Sequence, residues 1–240
     1  MFPPPASAVA VASARPGVAY SLGRTLYLSL TNRTNARPIV DTRGPSFRMP
    51  IESGFVRLPE GVQHEPTPAE LAAVVEACYD VREDIVGMGE NDPGVVFGGA
   101  GEPLLRLDAL RETVDEVRTR RHGVPFRVST NGLFPASTAA ALAELDVAVT
   151  VALQTADPAQ YDALMRPAPD VAEGSVPPPW SDGNVGARHA AVCAFVVSCV
   201  EAGVRVECTA VAAPGVDLTA TRRLAEALGA VAFRTREYFA

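Results

Sequence analysis

The sequence has few histidines, no long apolar run and none of the common catalytic fingerprints. His64, His122 and His189 lie far apart, without HxxxH or His/Cys spacing, which argues against a zinc site. No stretch reaches the roughly 18 uncharged apolar residues that a membrane-spanning helix needs. P-loop, dinucleotide-binding and GxSxG motifs are also absent, so the usual signatures of nucleotide hydrolysis, NAD binding and serine hydrolysis are not found.

Cysteine and positive charge are also scarce. The four cysteines have no paired spacing and are expected to be buried, reduced structural thiols: Cys78, Cys193, Cys199 and Cys208. This usage fits a reducing compartment, and the cytoplasm is the expected location. A net charge of -7 argues against a surface for nonspecific nucleic-acid binding, although a local basic groove is compatible with it.

The composition allows one large soluble domain. With 240 residues, 48% of them apolar and 20% charged, the chain can form a substantial core. Residues 1–18 are rich in alanine, proline and valine, with Arg15 as the single basic residue, and predict a disordered leader. An organelle transit sequence is the alternative. The expected domain covers residues 19–240.

Beyond the leader, short β-rich runs alternate with amphipathic helical runs, which predicts an α/β fold with a parallel sheet. Strands are predicted at 25–31, 94–97, 126–130, 147–153, 204–211 and 230–236, with a helix after each of the first five strands. Six strands are fewer than the eight of a closed TIM barrel, so we expect a partial (β/α)6 TIM-like barrel. An open doubly wound sheet is the alternative.

Capping residues and apolar spacing support the helices. Thr67 to Glu70 and Asp157 to Gln160 both have the pattern of a capping box with proline at the first helical position. After the first box, apolar residues at i, i+3, i+4 and i+7 form one buried face: Leu71, Val74, Val75 and Cys78. Residues 167–186 are rich in Pro, Gly and Asp and predict a surface loop.

The recognisable motifs follow the carboxyl ends of predicted strands, where parallel-sheet folds place their chemistry. In the segment from Gly98 to Pro103, glycines allow a ligand to approach the backbone and Glu102 supplies charge for an ammonium group. The alternative is a tight strand-to-helix turn in which Glu102 lies favourably at the start of the helix.

Several segments in order resemble the radical S-adenosylmethionine (SAM) superfamily, specifically its TatD-linked members. They are Leu28 to Gly44, Phe97 to Pro103, Val128 to Gly132, Asp157 to Pro167 and Cys208 to Asp217. The resemblance covers about residues 19–240 and implies the partial barrel predicted above. Ser29 and Gly98 depart from the residues expected in the family.

The resemblance also implies a cluster loop and a SAM pocket. In the family the loop carries three cysteines in C-x3-C-x2-C spacing, which falls here on Thr34, Pro38 and Asp41. Three thiolates would bind an iron–sulfur cluster, whereas these residues offer hard oxygen or no donor. The implied cofactor-binding residues are Gly98, Gly99, Gly101, Glu102, Asn131, Thr150 and Gln154.

Some of these residues have simpler interpretations. Asn131 and Gly132 have the sequence of an ordinary turn. Thr150 and Gln154 share the parity of one strand, as Glu207 and Thr209 share that of the next, so each pair could line a polar barrel interior or a solvated mouth.

Three functional hypotheses follow. The leading one is a degenerate radical SAM-like protein that binds SAM or a nucleotide without generating a radical. The second is an active SAM- or metal-dependent enzyme with a non-standard site, such as an oxygen-ligated metal at Asp41. The third is a structural partner protein. The expected partners are a small-molecule ligand or an unidentified protein, but neither a membrane nor nucleic acid.

Overall fold

The computed structural model of the protein describes residue 11 and residues 14–80, 94–166 and 186–240. The strands are β1 Ala19–Leu22, β2 Thr25–Ser29, β3 Val95–Gly98, β4 Phe126–Thr130, β5 Ala148–Ala152, β6 Val206–Val211 and β7 Ala232–Arg236. The α-helices are α1 Pro68–Asp80, α2 Leu107–Arg120, α3 Ser137–Glu144, α4 Pro158–Leu164, α5 Ala187–Glu201 and α6 Leu218–Ala227. Short 3-10 helices cover Ile39–Arg43, Ile51–Ser53, Val62–His64 and Pro103–Arg106.

The sheet confirms the predicted fold class. The seven strands follow one another in chain order, β1 to β7, and most of their pairings are parallel. A doubly wound sheet has a point where the strand order reverses, and this sheet has none. The fold is therefore α/β with the sequential strand order of a partial TIM-like barrel.

Strand β1 is an addition that the sequence pattern did not predict. It runs antiparallel to β2, with Leu22 opposite Thr25. The left-handed backbone of Gly23 (φ 61°) suits the tight turn between them. Tyr20 stacks on Tyr27 with ring centroids 4.8 Å apart. Four residues are too few to show a period of two, which explains why this hairpin was missed.

The chain forms two compact units. Unit 1 comprises Met1–Asn32 and Arg48–Val128, and unit 2 comprises Arg33–Phe47 and Ser129–Ala240. In unit 1, α1 and α2 pack against each other. In unit 2, α5 packs against α3 and α4. Most of the predicted leader (1–10, 12 and 13) and nearly all of the predicted loop 167–186 lie outside the described residues, and the boundaries of the leader and the domain stay predictions.

The predicted helix starts are confirmed, with one difference. The backbone N–H of Glu70 donates to Thr67 Oγ1 (3.2 Å), as the capping box predicts. The Glu70 carboxylate, however, accepts from Arg15 Nε (3.0 Å). The positively charged Arg15 attracts this carboxylate more strongly than a backbone N–H does. Of the two hydrogen bonds of the capping box, the one accepted by Thr67 therefore forms. Asp157 caps α4 and accepts from the backbone N–H of Gln160 (2.9 Å).

The four cysteines are reduced thiols outside any disulfide, as predicted. Cys78, Cys199 and Cys208 are buried, whereas Cys193 is half-buried. Burial raises the pKa of Cys193 to about 11 and the pKa values of Cys199 and Cys208 to about 12. These three cysteines are therefore protonated at neutral pH, which suits structural thiols and does not suit nucleophiles or metal ligands.

Candidate functional site

The segment Arg33–Phe47 of unit 2 contains Thr34, Pro38 and Asp41, the positions where the resemblance implies cluster cysteines. Thr34 Oγ1 donates to the carbonyl of Ala36 (2.8 Å), so its hydroxyl belongs to the loop's own turn. Pro38 stands immediately before the 3-10 helix Ile39–Arg43. Asp41 is exposed. None of the three positions presents a soft donor atom.

Asn131, a predicted ligand contact, anchors this loop through its side chain. The residue is 1% exposed, and its Nδ2 donates to Asn35 Oδ1 (2.6 Å). Its Oδ1 accepts from the backbone N–H of Leu133 (2.9 Å), whose carbonyl accepts from Asn35 Nδ2 (3.0 Å). Buried amides that satisfy one another in this way fix a single local arrangement. Whether Asn131 also contacts a ligand stays a prediction.

Gln154 is a second anchor of the same loop. Its Nε2 donates to Thr42 Oγ1 (3.2 Å), and its Oε1 accepts from the backbone N–H of Val211 (3.2 Å). The sequence predicted that Thr150 and Gln154 lie on one face of the same strand. This is wrong for Gln154, because β5 ends at Ala152 and Gln154 has a left-handed backbone (φ 62°). The position of its side chain is therefore set by a turn and not by the strand.

The far end of the loop packs closely on residues 237–239. The backbone N–H of Phe239 donates to the carbonyl of Arg43 (2.8 Å). Gly44 has a φ of 104°, and a Cβ atom there would lie 2.1 Å from the carbonyl oxygen of Phe239. Only glycine allows this approach. The loop is thus bonded at several points within unit 2.

In unit 1, the glycine-rich turn begins where β3 ends at Gly98. Gly99 has a φ of 111°, and a Cβ atom there would lie 2.5 Å from Ser29 Oγ, so the position requires glycine. Glu102 is 1% exposed, and its Oε1 accepts from the backbone N–H of Leu104 (3.1 Å) at the start of the 3-10 helix. The interpretation of Glu102 as a helix-start residue is confirmed, and its role toward a ligand stays a prediction.

A half-buried ion-pair network just after β2 was not predicted from the sequence. Arg106 Nε lies 3.2 Å from Glu65 Oε2. Arg106 Nη1 donates to the carbonyls of Leu30 (2.9 Å) and Pro66 (2.8 Å). Thr31 Oγ1 donates to Glu65 Oε1 (2.5 Å). Glu65 lies in a long stretch without periodic pattern, so no local signal indicated its partner.

The strands of unit 2 carry a polar face. The register places Thr150 opposite Glu207, and Thr209 opposite Arg234. Glu207 Oε1 accepts from Arg234 Nε (2.6 Å). Thr150 is 4% exposed, and its Oγ1 has no hydrogen-bond partner among the described residues. A buried hydroxyl without a partner destabilises the fold, so this position is a candidate for ligand contact.

Replacing Thr150 by valine tests this assignment. We expect Thr150→Val to leave the free energy of unfolding unchanged or to raise it by up to about 1 kcal/mol, because no protein hydrogen bond is lost. Thr221→Val is the matched control, since the buried Thr221 hydroxyl donates to the Asp217 carbonyl (2.7 Å) and accepts from the Ala156 N–H (3.1 Å). The control should lose about 1–3 kcal/mol. Urea denaturation measures both, and a similar loss for Thr150→Val would contradict the assignment.

Metal-ligand clusters and membrane-spanning helices are both missing from the described ranges. No group of three or more His, Cys, Asp or Glu side chains in residues 14–80, 94–166 and 186–240 is arranged to hold a metal ion. Within the same ranges, no helix combines the length and the apolar character needed to cross a membrane.

Comparison with curated proteins gives one informative match by sequence. The chain is 34% identical over 126 residues to the probable dual-specificity RNA methyltransferase RlmN 1 of Opitutus terrae. The match covers 51% of this chain, which spans only 33% of the relative's length. No protein-family model matches the sequence.

Solved structures match the fold over most of the chain. Streptococcus suis SuiB bound to precursor peptide SuiA has a TM-score of 0.57 at 13% identity, over 89% of this chain and 39% of that one. The FeFe-hydrogenase maturase HydG from Carboxydothermus hydrogenoformans has a TM-score of 0.58 at 14% identity, over 90% and 44%. The chain therefore spans about two fifths of each structure, and the likeness concerns the fold. Together with the sequence match, it supports the resemblance to the radical SAM superfamily.

Proposed function

We propose that this chain is a degenerate radical SAM-like protein of the TatD-linked type, which binds SAM or a related nucleoside and generates no radical. The observation that carries the proposal is the donor set at Thr34, Pro38 and Asp41. An iron–sulfur cluster is held by cysteine thiolates, and a radical from SAM depends on that cluster.

The residues of the loop do not fit a cluster. The Thr34 hydroxyl is engaged with Ala36, and Pro38 has no side-chain donor. The exposed carboxylate of Asp41 supplies hard oxygen, which suits magnesium or calcium better than iron–sulfur chemistry.

The glycine turn, in contrast, fits the amino-acid end of SAM. Glu102 supplies a buried carboxylate in this turn, and a carboxylate is suited to an ammonium group. A carboxylate has about four acceptor sites, so Glu102 can cap the 3-10 helix at Leu104 and still accept from an ammonium group. Within unit 2, Asn131 and Gln154 already use their amides in the protein, whereas the Thr150 hydroxyl has no hydrogen-bond partner among the described residues.

Two measurements on the purified protein test the proposal. After anaerobic reconstitution with iron and sulfide, we expect no stoichiometric cluster and no release of 5'-deoxyadenosine from SAM. Isothermal titration should detect SAM binding without added metal. A four-iron cluster together with SAM cleavage would overturn the proposal, and so would the absence of any SAM binding.

Glu102→Gln should weaken SAM binding selectively. The amide keeps a carbonyl oxygen for the Leu104 N–H but removes the charge that an ammonium group needs, and we expect a loss of affinity of about tenfold or more. Binding of 5'-methylthioadenosine, which lacks the amino-acid end, should not change. Titration of both ligands measures the difference, and an equal loss for both would assign Glu102 to the fold alone.

The sequence match with RlmN 1 favours a second candidate, an active SAM-dependent enzyme with a non-standard site. Transfer of labelled methyl groups from SAM to RNA would support it. The net charge of -7 argues against an RNA substrate, so we prefer the first candidate, with a small molecule as partner and the cytoplasm as location.

A further inference from the structure

We propose that Arg43 and Arg236 form an anion site in unit 2 that binds the phosphate group of a small phosphorylated ligand. Arg43 is the last residue of the 3-10 helix Ile39–Arg43, and Arg236 is the last residue of β7. Both residues belong to unit 2, and both are half-buried. The inference goes beyond the proposed function, because this site requires neither SAM nor an iron–sulfur cluster.

Hydrogen bonds to the backbone after β7 bring the two arginines together. Arg43 Nε donates to the carbonyl of Glu237 (2.7 Å), the residue that follows Arg236. The carbonyl of Arg43 accepts from the backbone N–H of Phe239 (2.8 Å). Burial and the positive charge of Arg236 lower the pKa of Arg43, whereas the Glu237 carboxylate raises it. The two cations are therefore close enough to repel each other.

The Arg43 guanidinium is held in place while its two Nη nitrogens stay unused. Its Cζ lies 4.4 Å from the ring centroid of Phe47 and 5.4 Å from that of Phe239, within the range of cation–π contacts. Neither Nη atom has a hydrogen-bond partner among the described residues. The paired N–H groups of a guanidinium match the oxygen atoms of a carboxylate or phosphate, and a side chain that is already fixed loses little entropy on binding.

A structural role does not account for Arg236. Arg234, two residues earlier on the same strand, shows the ordinary arrangement, because its Nε donates to the Glu207 carboxylate (2.6 Å). The Arg236 side chain takes part in no hydrogen bond or ion pair with the described part of the chain. Two cations placed together repel each other, whereas an anion bound by both would replace this repulsion with attraction.

The combined charge of the pair favours a phosphate group. Two guanidinium groups carry two positive charges, and a phosphate monoester carries about −1.5 to −2 at neutral pH. A carboxylate carries a single negative charge and would balance only half of the pair. The net charge of -7 argues against a nucleic acid as the source of the phosphate, so we infer a small phosphate monoester.

Equilibrium dialysis with radiolabelled inorganic phosphate at constant ionic strength tests the site. We expect saturable binding by the wild type and a loss of affinity of about tenfold or more in Arg236→Gln, because a charge-assisted hydrogen bond is removed. Arg223→Gln is the matched control, since it removes the same charge from an exposed position of α6 and should bind phosphate as the wild type does. The melting temperature of Arg236→Gln without phosphate should not fall.

Arg43→Lys tests the second member of the pair. Lysine keeps the positive charge but lacks the paired N–H groups of a guanidinium, so we expect weaker phosphate binding than in the wild type. Unchanged affinity in Arg43→Lys would show that charge alone suffices and that Arg43 does not bind the anion through its paired N–H groups.

Competition with phenyl phosphate and acetate identifies the class of anion. Phenyl phosphate should displace the radiolabelled phosphate at concentrations at which acetate does not. Equal displacement by acetate would contradict the assignment to phosphate, and displacement by inorganic phosphate alone would contradict the assignment to a monoester. No saturable binding by the wild type, or equal affinity in Arg236→Gln, would overturn the site itself. Neither SAM nor iron enters these assays, so their failure would leave the proposed function to its own tests.

Discussion

Replacing Thr34, Pro38 and Asp41 together by cysteine should give a chain that holds a four-iron cluster after reconstitution, whereas the proposed function predicts none for the wild type. The three positions have the C-x3-C-x2-C spacing of the loop that the sequence resembles, and thiolates supply the soft donors that the present residues lack. Iron and sulfide analysis and the visible absorption spectrum after anaerobic reconstitution measure the result.

The hydrogen bonds that the loop would lose on binding a cluster contribute little to stability. The Thr34–Ala36 hydrogen bond is worth about 1 kcal/mol. For comparison, binding of zinc to the cysteine and histidine ligands of zinc-finger peptides releases about 10–16 kcal/mol. The anchors at Asn131 and Gln154 bind Asn35 and Thr42, which the substitutions leave in place. Cluster binding should therefore be more favourable than the hydrogen bond of the loop's own turn.

A two-cysteine control separates a specific site from loose iron binding. Thr34→Cys with Pro38→Cys keeps Asp41, so it offers two thiolates and should retain clearly less than stoichiometric iron. If the triple variant holds no more iron than this control, the loop does not have the frame of a cluster site. A cluster in the wild-type chain would instead remove the basis of the proposed loss of function.

The sequence predicted the fold well because the fold depends on local patterns. The runs that became β2 to β7 alternate or are continuously apolar, and Thr67 and Asp157 begin helices as their capping patterns indicate. Strand β1 was missed because four residues carry too little pattern.

The side-chain bonds of the site could not be predicted in the same way. Asn131 and Asn35 are 96 residues apart, and Gln154 and Thr42 are 112 apart, so no periodicity connects them. Asn131 was identified through its motif, but its bond to the loop depends on how the folded chain brings distant segments together. Ser29 was noted as a departure from the family, yet only the folded chain shows that its hydroxyl has no hydrogen-bond partner among the described residues.

Arg106→Met should lower the free energy of unfolding by about 3–5 kcal/mol, the largest stability loss that we expect from a single substitution here. The Arg106 and Glu65 side chains are only 18% and 11% exposed, so methionine removes the Arg106 cation from a largely buried carboxylate. The carbonyls of Leu30 and Pro66 also lose their donor. Urea denaturation measures the loss.

Arg120→Met is the matched control for that substitution. Arg120 also pairs with a glutamate, Glu116, but its side chain is 61% exposed and the atoms are 3.9 Å apart. Exposed pairs of this kind contribute about 0–1 kcal/mol. Equal losses in the free energy of unfolding for the two variants would show that burial does not make the Arg106 ion pair more stabilising than an exposed one.

The double variant Arg106→Met with Glu65→Leu identifies which part of the network causes the loss. If the loss of the Arg106 cation beside the Glu65 carboxylate dominates, the double variant should be more stable than Arg106→Met alone, because the carboxylate is removed together with its cation. If the loss of a donor to the Leu30 and Pro66 carbonyls dominates, Glu65→Leu should recover no free energy of unfolding. It should then destabilise the protein further, because Thr31 loses its hydrogen bond to Glu65. We expect partial recovery, because a buried charge costs more than an unbonded carbonyl.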